Sequence, residues 1–492
     1  MFIGRQDELK LLMTLKTKES SNLFCLMGRR RIGKSTLIQE FSKGFKNFFE
    51  IQGLGPDSHP SLQVQLDHFA SVISLKFNSR KEHFEDWSEA FYALAKLTKK
   101  KEWLILLDEI SWMSQGDLHF ALKLKEVWDV AFKKNERLFL VLCGSVSSWI
   151  EDNILNNASF EGRISGQLNL GPLDIVEINQ FWEKRHCHYS AMEKIFLLAI
   201  TGGVPKYLEE INYRLPVESN LHSLCFSKNG FLFNEYKKIF LDLFKRKGPI
   251  LDKIIRLCLT QKLSMADLSR KLKKRQDGDI SRYVHILELS GFLSKDYSFR
   301  PSGEAMRSAH LRVTDNYLRF YIKCIEPLSL RIEKASLQIT SLHQWPNFES
   351  ILGYQLENLV HFNKASIHQQ LHLTPQQILS SAPYFQNKSS ENRGSCQIDL
   401  LIHTTMDLFF LCEIKSGELD KKVIAQIKQK MDRLKLPARM ALRPVLIHLA
   451  DIPSSLLSEY RRFFYQTVAF QQLLTEKGHH ATPAMPHVPG AF

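Results

Sequence analysis

Near the N-terminus the residues Gly28-Arg29-Arg30-Arg31-Ile32-Gly33-Lys34-Ser35 fit the spacing G-x-x-x-x-G-K-[ST]. Residues 23–27 before them are apolar and residues 36–41 after them are amphipathic, which predicts strand, loop, helix. The glycines let the backbone curl so that its N–H groups face a phosphate chain. Lys34 can reach the β- and γ-phosphates, the Ser35 hydroxyl can join a Mg²⁺ shell, and the helix adds the positive end of its dipole. A second set supports this chemistry. The apolar run 103–107 ends in Asp108-Glu109. An acid there can hold Mg²⁺ through water, and its neighbour can polarise a water for attack on the γ-phosphate. The run 138–143 ends in Gly144-Ser145, where Ser145 is a candidate for touching the γ-phosphate or the attacking water.

A separate set lies near the C-terminus. Asp399 sits in the strand-like run 397–402, and Glu413 and Lys415 sit in the strand-like run 408–415. Side chains two apart on a strand share a face, so Glu413 and Lys415 point together. A hairpin centred near Met406 sets Asp399 opposite Glu413. The alternative reading is a hairpin with solvent-facing charges.

These residues need a scaffold. At 492 residues, 44% of them hydrophobic, the chain is long enough for several domains. Up to about residue 240, strand-like runs alternate with helical patterns such as 62–75 and 87–97, predicting a parallel sheet covered on both faces. Next come three helices, 250–259, 265–272 and about 280–289, and a short hairpin through 290–293 and 297–301. That order reads as a winged helix-turn-helix. Ser264 and Asp267 can cap the second helix. Arg282 and His285 fall on the third, just after Lys273, Lys274 and Arg275. Residues 314–333 read as a linking helix. A third unit opens with a helix over 349–363, continues as strands, and closes with a helix near 454–474.

The net charge is +14, and the stretch from Lys245 to Lys334 holds 20 lysines and arginines against 10 acids. This excess suits a DNA partner through the winged-helix region, or a solvated face. The eight cysteines form no C-x-x-C pair, which points to a reducing compartment without disulfides. His186-Cys187-His188 has no second cluster at ligand spacing, which argues against a metal site. The chain starts almost directly on a motif, and no apolar run approaches a membrane span. A cytoplasmic protein with no membrane partner is expected. The tail 476–492, rich in His, Pro and Ala, is expected to be disordered.

The residues Phe2-Ile3-Gly4-Arg5 with Glu8-Leu9, the loop 28–35, the run 104–109, Gly144-Ser145, Glu161-Gly162-Arg163 and the segment 202–208 together resemble the archaeal-type ATPase family, P-loop NTPases of the AAA+/STAND grouping. The resemblance implies ATP and Mg²⁺ as cofactors. It places Phe2, Gly4 and Arg5 by the adenine and Pro205 of a helical lid at the nucleotide, with Arg29, Arg30, Arg31 and Thr36 in or beside the phosphate loop. It implies an Arg163 near the γ-phosphate, acting in cis, in trans or structurally. Related ATPases often carry Asn where this chain has Ser145.

The C-terminal set resembles PD-(D/E)XK nucleases. There two acids hold Mg²⁺ against a scissile phosphate and a lysine orients or activates water. Glu357 matches the acid of the first helix, and Gln426 a frequent accessory position. The implied roles are Lys34, Glu109, Arg163, Asp399, Glu413 and Lys415 in catalysis, and Ser35, Asp108, Asp399, Glu413 and Glu357 at metals.

The expected class is α/β. It runs from a P-loop NTPase parallel sheet (1–175) with a helical lid (176–244), through an all-α winged helix (245–310) and linker helices (311–344), to an α/β restriction-endonuclease-like domain (345–475). The expected function is ATP hydrolysis with DNA engagement and a nuclease-like domain, in a chain that can assemble as a homo-oligomer. The alternative is a nucleotide-switched signalling or scaffold ATPase whose nuclease-like domain is inactive.

Overall fold

The computed structural model describes residues 2–475 apart from 19, 56–59, 146, 245–247, 274–277, 300–304, 338–344, 346–347, 387–393, 435 and 437–439. The expected disordered tail, Lys274, Arg275 and the end of the expected hairpin strand 297–301 lie outside the described residues.

Five parallel strands come first: β1 (Asn22–Met27), β2 (Phe48–Gln52), β3 (Trp103–Asp108), β4 (Leu138–Gly144) and β5 (Gly166–Asn169), in the order β2-β3-β4-β1-β5. Strands β1, β3 and β4 are buried along their whole length, as expected for a sheet covered on both faces. The edge strands β2 and β5 were not anticipated. They are short and carry polar residues that face outward, so they lack the continuous apolar run. Helices Gln6–Lys16 and Lys34–Ser42 cover one face. Helices Leu62–Phe77, Trp87–Leu97 and Phe120–Val130 cover the other. Ligands of such sheets bind beyond the carboxyl ends of the strands. Here β1 ends at the glycine loop and β3 ends at Asp108, with only β4 between them.

A helical layer follows: Ile175–Lys184, Ala191–Thr201, Pro205–Glu209, Val217–Cys225 and Phe231–Phe244. The helix Ala191–Thr201 opens on a capping box, Ser190 with Glu193, and stops at Gly202, whose φ of 60° is left-handed. Next come helices Gly248–Thr260, Met265–Leu272 and Gly278–Leu289. They carry a small antiparallel sheet of β6 (Leu263–Ser264), β8 (Ala305–Val313) and β7 (Leu293–Phe299), in that spatial order. Ser264 and Asp267 form the expected capping box. The run after Asp315 starts as helix Asn316–Phe320, whose Leu318 N–H donates to Asp315 at 2.7 Å. It continues as a π turn over Tyr321–Ile325 and breaks at Pro327, which cannot donate to the ladder.

The last unit is a mixed sheet in the order β13-β12-β11-β10-β9. Its strands are β9 (Ile378–Gln386), β10 (Cys396–Thr404), β11 (Leu408–Lys415), β12 (Ala441–His448) and β13 (Gln466–Ala469). Helix Phe348–Phe362 packs on one face and helix Lys421–Arg433 on the other. The expected closing helix over 454–474 is corrected. Only Leu457–Phe463 is α-helical, and Gln466–Ala469 extends as β13, where β-branched Thr467 and Val468 pair with Leu446 and Ile447.

The units do not hang on free linkers. One continuous apolar core runs from the first sheet through the helical layer and the Asn316–Phe320 helix to one face of the last sheet. The β7–β8 hairpin is seated on β9. The Ser298 hydroxyl donates to Pro383 O at 3.2 Å and accepts from Phe385 N–H at 2.7 Å. Phe299 stacks with His403 and Phe409. Among the described residues, no helix is long and apolar enough to cross a membrane. All eight cysteines are free and buried, and burial pushes the Cys25 thiol up to about 12.

Candidate nucleotide site and C-terminal centre

The phosphate loop owes its shape to two glycines. Gly28 has φ +138°, and a Cβ there would sit 2.6 Å from Leu170 O. Gly33, at φ +92°, is the left-handed residue that opens helix Lys34–Ser42. Lys34 is buried, and its ammonium donates to Gly28 O at 2.8 Å and Arg29 O at 3.2 Å. It thus rests on the loop's own carbonyls, within reach of a phosphate laid over them. The Ser35 hydroxyl donates to Asp108 Oδ2 at 2.7 Å, and Asp108 Oδ1 accepts from the Glu109 N–H at 2.9 Å. A hydroxyl and a carboxylate in contact at the mouth of a cavity are the hard oxygen donors Mg²⁺ takes when phosphates supply the remaining positions. These residues fit that ion.

The cavity has a volume of ≈ 300 Å³. Phe2, Arg5, Lys34, Ser35, Thr36, Asp108, Glu109 and Pro205 line it, with Arg30, Arg31, Ile32 and Gly33 along its floor. Gln52, Phe181, Lys206 and Glu209 also line it and were not anticipated. They come from the end of β2, from helix Ile175–Lys184, and from helix Pro205–Glu209, of which only Pro205 had been expected at the nucleotide. Gly4 sits behind the wall, where a Cβ would lie 2.6 Å from Glu177. Arg5 is buried, with a left-handed φ of 59°, and its guanidinium donates to Gly171 O at 2.6 Å. It ties the N-terminal segment to the loop after β5.

Four expected residues sit elsewhere or act differently. Arg29 does not line the cavity. Its side chain turns away into the protein and pairs with Asp315, both nearly fully buried. Arg31 reaches sideways from the loop, with Nε and Nη2 3.1 and 3.3 Å from the carboxylate of Glu235 on helix Phe231–Phe244. Ser145 does not line the cavity either. Its Oγ donates to the Glu109 carboxylate at 2.7 and 2.8 Å, and its N–H donates at 3.2 Å. Ser145 therefore aims the acid that would polarise water. Arg163 is the clearest correction. It precedes β5, beside the starting end of β1, because Ser165 N–H donates to Leu23 O. The phosphate loop lies at the opposite end of that strand. The guanidinium there forks onto Asp129 at 2.8 and 2.9 Å, and with Lys125 holds that carboxyl well below the usual range. Within one chain it does not meet the γ-phosphate position.

At the C-terminal centre, β10 and β11 pair antiparallel with Leu400 opposite Cys412, the register expected. Asp399 Oδ2 accepts from Ile414 N–H at 2.9 Å. Glu413 is 3% exposed, and its two oxygens accept from Lys430 Nζ at 2.7 and 2.6 Å, with Lys415 Nζ 3.1 Å away. Lys430 was missed because it lies on helix Lys421–Arg433, 17 positions from its partner. Gln426, one turn earlier on that helix, is exposed. Glu357 and Asp399 line a second cavity together. Among the described residues, no three His, Cys, Asp or Glu side chains gather around one point as metal ligands. With Glu413 saturated by two ammoniums, the residues as placed do not fit a Mg²⁺ site, which corrects the expected metal role of Asp399, Glu413 and Glu357.

Burial pushes the Asp399 carboxyl up to about 7, and nearby Glu413 and Glu357 add to the rise, while Lys430 and the Ile414 N–H oppose it. The folded state therefore holds this proton at pH values where the unfolded chain, near 3.8, releases it. Its contribution to stability is present at low pH and is lost as pH rises through that window. Asp399→Asn keeps the acceptor for Ile414 and removes the cost of ionisation. In EDTA at pH 8 the variant is expected to be about 1–3 kcal/mol more stable than wild type. The advantage should shrink as pH falls to 4. Urea titrations across pH check this, and a variant equally or less stable at pH 8 contradicts it.

Residues 2–211 match the model of an ATPase domain found predominantly in Archaea. An uncharacterized protein of Methanocaldococcus jannaschii is 22% identical over 360 residues, 73% of this chain and 76% of that one. An uncharacterized ATP-binding protein of the same organism is 41% identical over 46 residues, 9% of this chain and 78% of that one. Among solved structures, a Walker-type ATPase of Pyrococcus abyssi aligns with TM-score 0.46 at 15% identity, over 65% of this chain and 95% of that one. The ORC2 protein of Aeropyrum pernix, in ADPNP and ADP complexes, aligns with TM-score 0.39 at 15% identity, over 67% and 94%. Residues 2–211, with their glycine loop, the Ser35–Asp108 contact and the cavity above them, are an ATPase domain of the archaeal type.

Proposed function

We propose that this protein hydrolyses ATP in the cavity between the phosphate loop and helix Pro205–Glu209, and uses the nucleotide to control its engagement of DNA. The observation that carries the ATPase reading is the Ser35–Asp108 contact at 2.7 Å beside Lys34. Lys34 would exchange the carbonyls of Gly28 and Arg29 for phosphate oxygens. Ser35 and Asp108 would hold Mg²⁺, which neutralises charge on the β- and γ-phosphates when bound. Glu109, aimed by Ser145, would orient the attacking water. Arg31 links the loop to helix Phe231–Phe244 through Glu235, so a nucleotide on the loop can bias the helical layer.

The DNA reading rests on residues 245–310, read as a winged helix-turn-helix, and on the basic excess that falls in and after them. In this arrangement its third helix is turned inward. Arg282 donates to Asp152 at 2.7 Å, and His285 meets Glu151 at 2.5 Å, both on the ATPase domain. The Arg282–Asp152 pair is exposed, and such pairs are worth about 0–1 kcal/mol; the His285–Glu151 pair is half-buried. A change of nucleotide state can release them. Duplex binding by fluorescence anisotropy across salt concentrations is the test, with ATP analogue, with ADP and without nucleotide. Binding should weaken steeply with salt, and Asp152→Ala with Glu151→Gln should strengthen it in the absence of nucleotide. No binding at low salt in any state sinks this reading.

One observation favours a second reading, a nucleotide-switched scaffold ATPase with an inactive nuclease-like unit: Glu413 is saturated by Lys430 and Lys415. No hydrolytic step is assigned to that centre. Plasmid incubated with Mg²⁺ or Mn²⁺ separates the two. Equal, negligible nicking by wild type, Asp399→Ala, Lys415→Ala and Lys430→Ala favours the scaffold.

A further inference from the structure

The starting ends of the ATPase strands carry a charge that the nucleotide cavity does not use. Segments 43–47, 99–102 and 133–137 lead into β2, β3 and β4. Together they hold eight lysines and arginines and two acids. The strand order makes the three segments neighbours, and hydrogen bonds tie them side by side. Asn47 Nδ2 donates to Glu102 O at 2.8 Å, and Asn135 Nδ2 donates to Lys101 O at 3.0 Å. Trp103 N–H donates to Arg137 O at 3.2 Å. With strands about 4.8 Å apart, the cations form a row about 10 Å long, at the end of the sheet opposite the phosphate loop.

All eight cations are exposed. Lys43 pairs with Glu40 at 2.7 Å and Lys133 with Asp129 at 3.5 Å. The other six make no ion pair among the described residues. The acids close by are mostly answered from elsewhere. Glu102 takes Lys16 at 3.2 Å, and Asp129 also takes Arg163 and Lys125. Of the row's own two acids, that leaves Glu136, which is exposed.

Helix dipoles account for part of this charge. Helices Lys34–Ser42, Trp87–Leu97 and Phe120–Val130 run back against the strands, so their carbonyl ends gather here, and a cation beside such an end is stabilising. Lys43 and Lys99 sit one and two residues past those ends. Lys46, Lys101, Lys134 and Arg137 lie four or more residues past them, outside the last turn over which a dipole acts. What remains is repulsion among like charges, which a polyanion relieves.

The row also lacks the groups that other polyanions ask for. Among the described residues no exposed aromatic ring stands in it. Phe45 lies under the Lys16 ammonium, 4.1 Å from its ring centre, and Trp103 and Phe132 are 8% and 1% exposed. Unpaired bases stack on such rings, and membrane-surface segments sink them into lipid. A duplex needs only cations for its phosphates, which hold its register without reading its sequence. At about one charge per 1.7 Å of axis over both strands, the row meets about three phosphates of the facing strand.

We propose that this row is a docking surface for the sugar-phosphate backbone of duplex DNA, gripped without regard to base sequence. The inference rests on the DNA reading above for its partner, and not on that reading's third helix. The nucleotide cavity, at the far end of the strands, stays open while the duplex is held.

The test uses the full chain without nucleotide and a fluorescein-labelled duplex of mixed sequence, read by anisotropy across salt concentrations. Lys46→Glu with Lys100→Glu and Lys134→Glu reverses one exposed lysine in each segment. This triple variant is expected to weaken duplex binding roughly 10-fold or more at low salt. The matching triple alanine variant should lower the slope of log K against log salt by about 2–3. ATP turnover should stay at the wild-type rate in both, since the three lysines lie outside the nucleotide cavity. Duplex binding unchanged in both triple variants overturns the inference and leaves the third-helix reading standing. Binding lost in them, yet indifferent to Asp152→Ala with Glu151→Gln, supports it and counts only against the third helix. Wild type that binds phosphatidylserine vesicles but no duplex overturns it as well.

Discussion

Lys34→Ala lowers ATP turnover by about 10²–10³-fold, the cost of removing one preorganised donor from developing charge. The ammonium lies 2.8 Å from Gly28 O and 3.2 Å from Arg29 O, at the mouth of the ≈ 300 Å³ cavity. Arg29 turns inward to Asp315, and Arg31 reaches out to Glu235. Phosphate release under saturating ATP measures the effect. A thermal melt of the same sample shows that the fold survives, since the lost bonds are two local ones. Turnover within a few-fold of wild type would mean that the loop does not hold the γ-phosphate.

Asp315→Ala should cost about 3–5 kcal/mol of stability, because it strands the Arg29 guanidinium in the interior. Arg29 is 7% exposed and Asp315 5%. The same carboxylate caps helix Asn316–Phe320 through Leu318 N–H, which adds about 1 kcal/mol. The double variant Arg29→Met with Asp315→Asn removes both charges and keeps a capping acceptor, so it should recover most of the loss. Urea denaturation of wild type, single and double variants makes the measurement. A double variant as unstable as Asp315→Ala would show that the charge pair is not the cause. The pair also has a functional meaning. It bolts the phosphate loop directly to the segment that leads into the C-terminal unit. The ion pair bridges 286 positions of sequence.

Where the chemistry was local, it was legible. The loop 28–35 needs two glycines, a lysine and a hydroxyl at fixed spacing, and the flanking apolar run and helix follow within a few residues. The apolar strands β1, β3 and β4 announce burial on both faces. The β10–β11 register was readable because a short polar turn and a side-chain period of two leave few pairings that bury Leu400, Ile402, Phe410 and Cys412 together. The capping box at Ser264 and Asp267 is likewise a four-residue signal.

What sequence pattern did not reveal depends on partners far along the chain. Arg163 sits in a motif-like triplet, yet its place is set by Asp129 and by the pairing of β5 with β1. Ser145 was read against a phosphate and instead holds Glu109, a contact made only because β3 and β4 lie side by side. Glu413 was read as a metal ligand, but Lys430, brought over the sheet by the next helix, covers it. The basic segment was read toward a DNA partner or a solvated face, and Asp152 and Glu151 of the ATPase domain pair with Arg282 and His285 of its third helix.

Taken alone, the order of residues determined that there is a phosphate loop, an acid pair after a buried strand, and two carboxylates with a lysine across one hairpin. Each of these is written within a stretch short enough for backbone geometry to decide. Only the tertiary structure decided which of those charged groups face a cavity and which face each other. An arginine or a carboxylate goes to whichever opposite charge the fold brings within reach, and burial then determines how strongly it is held.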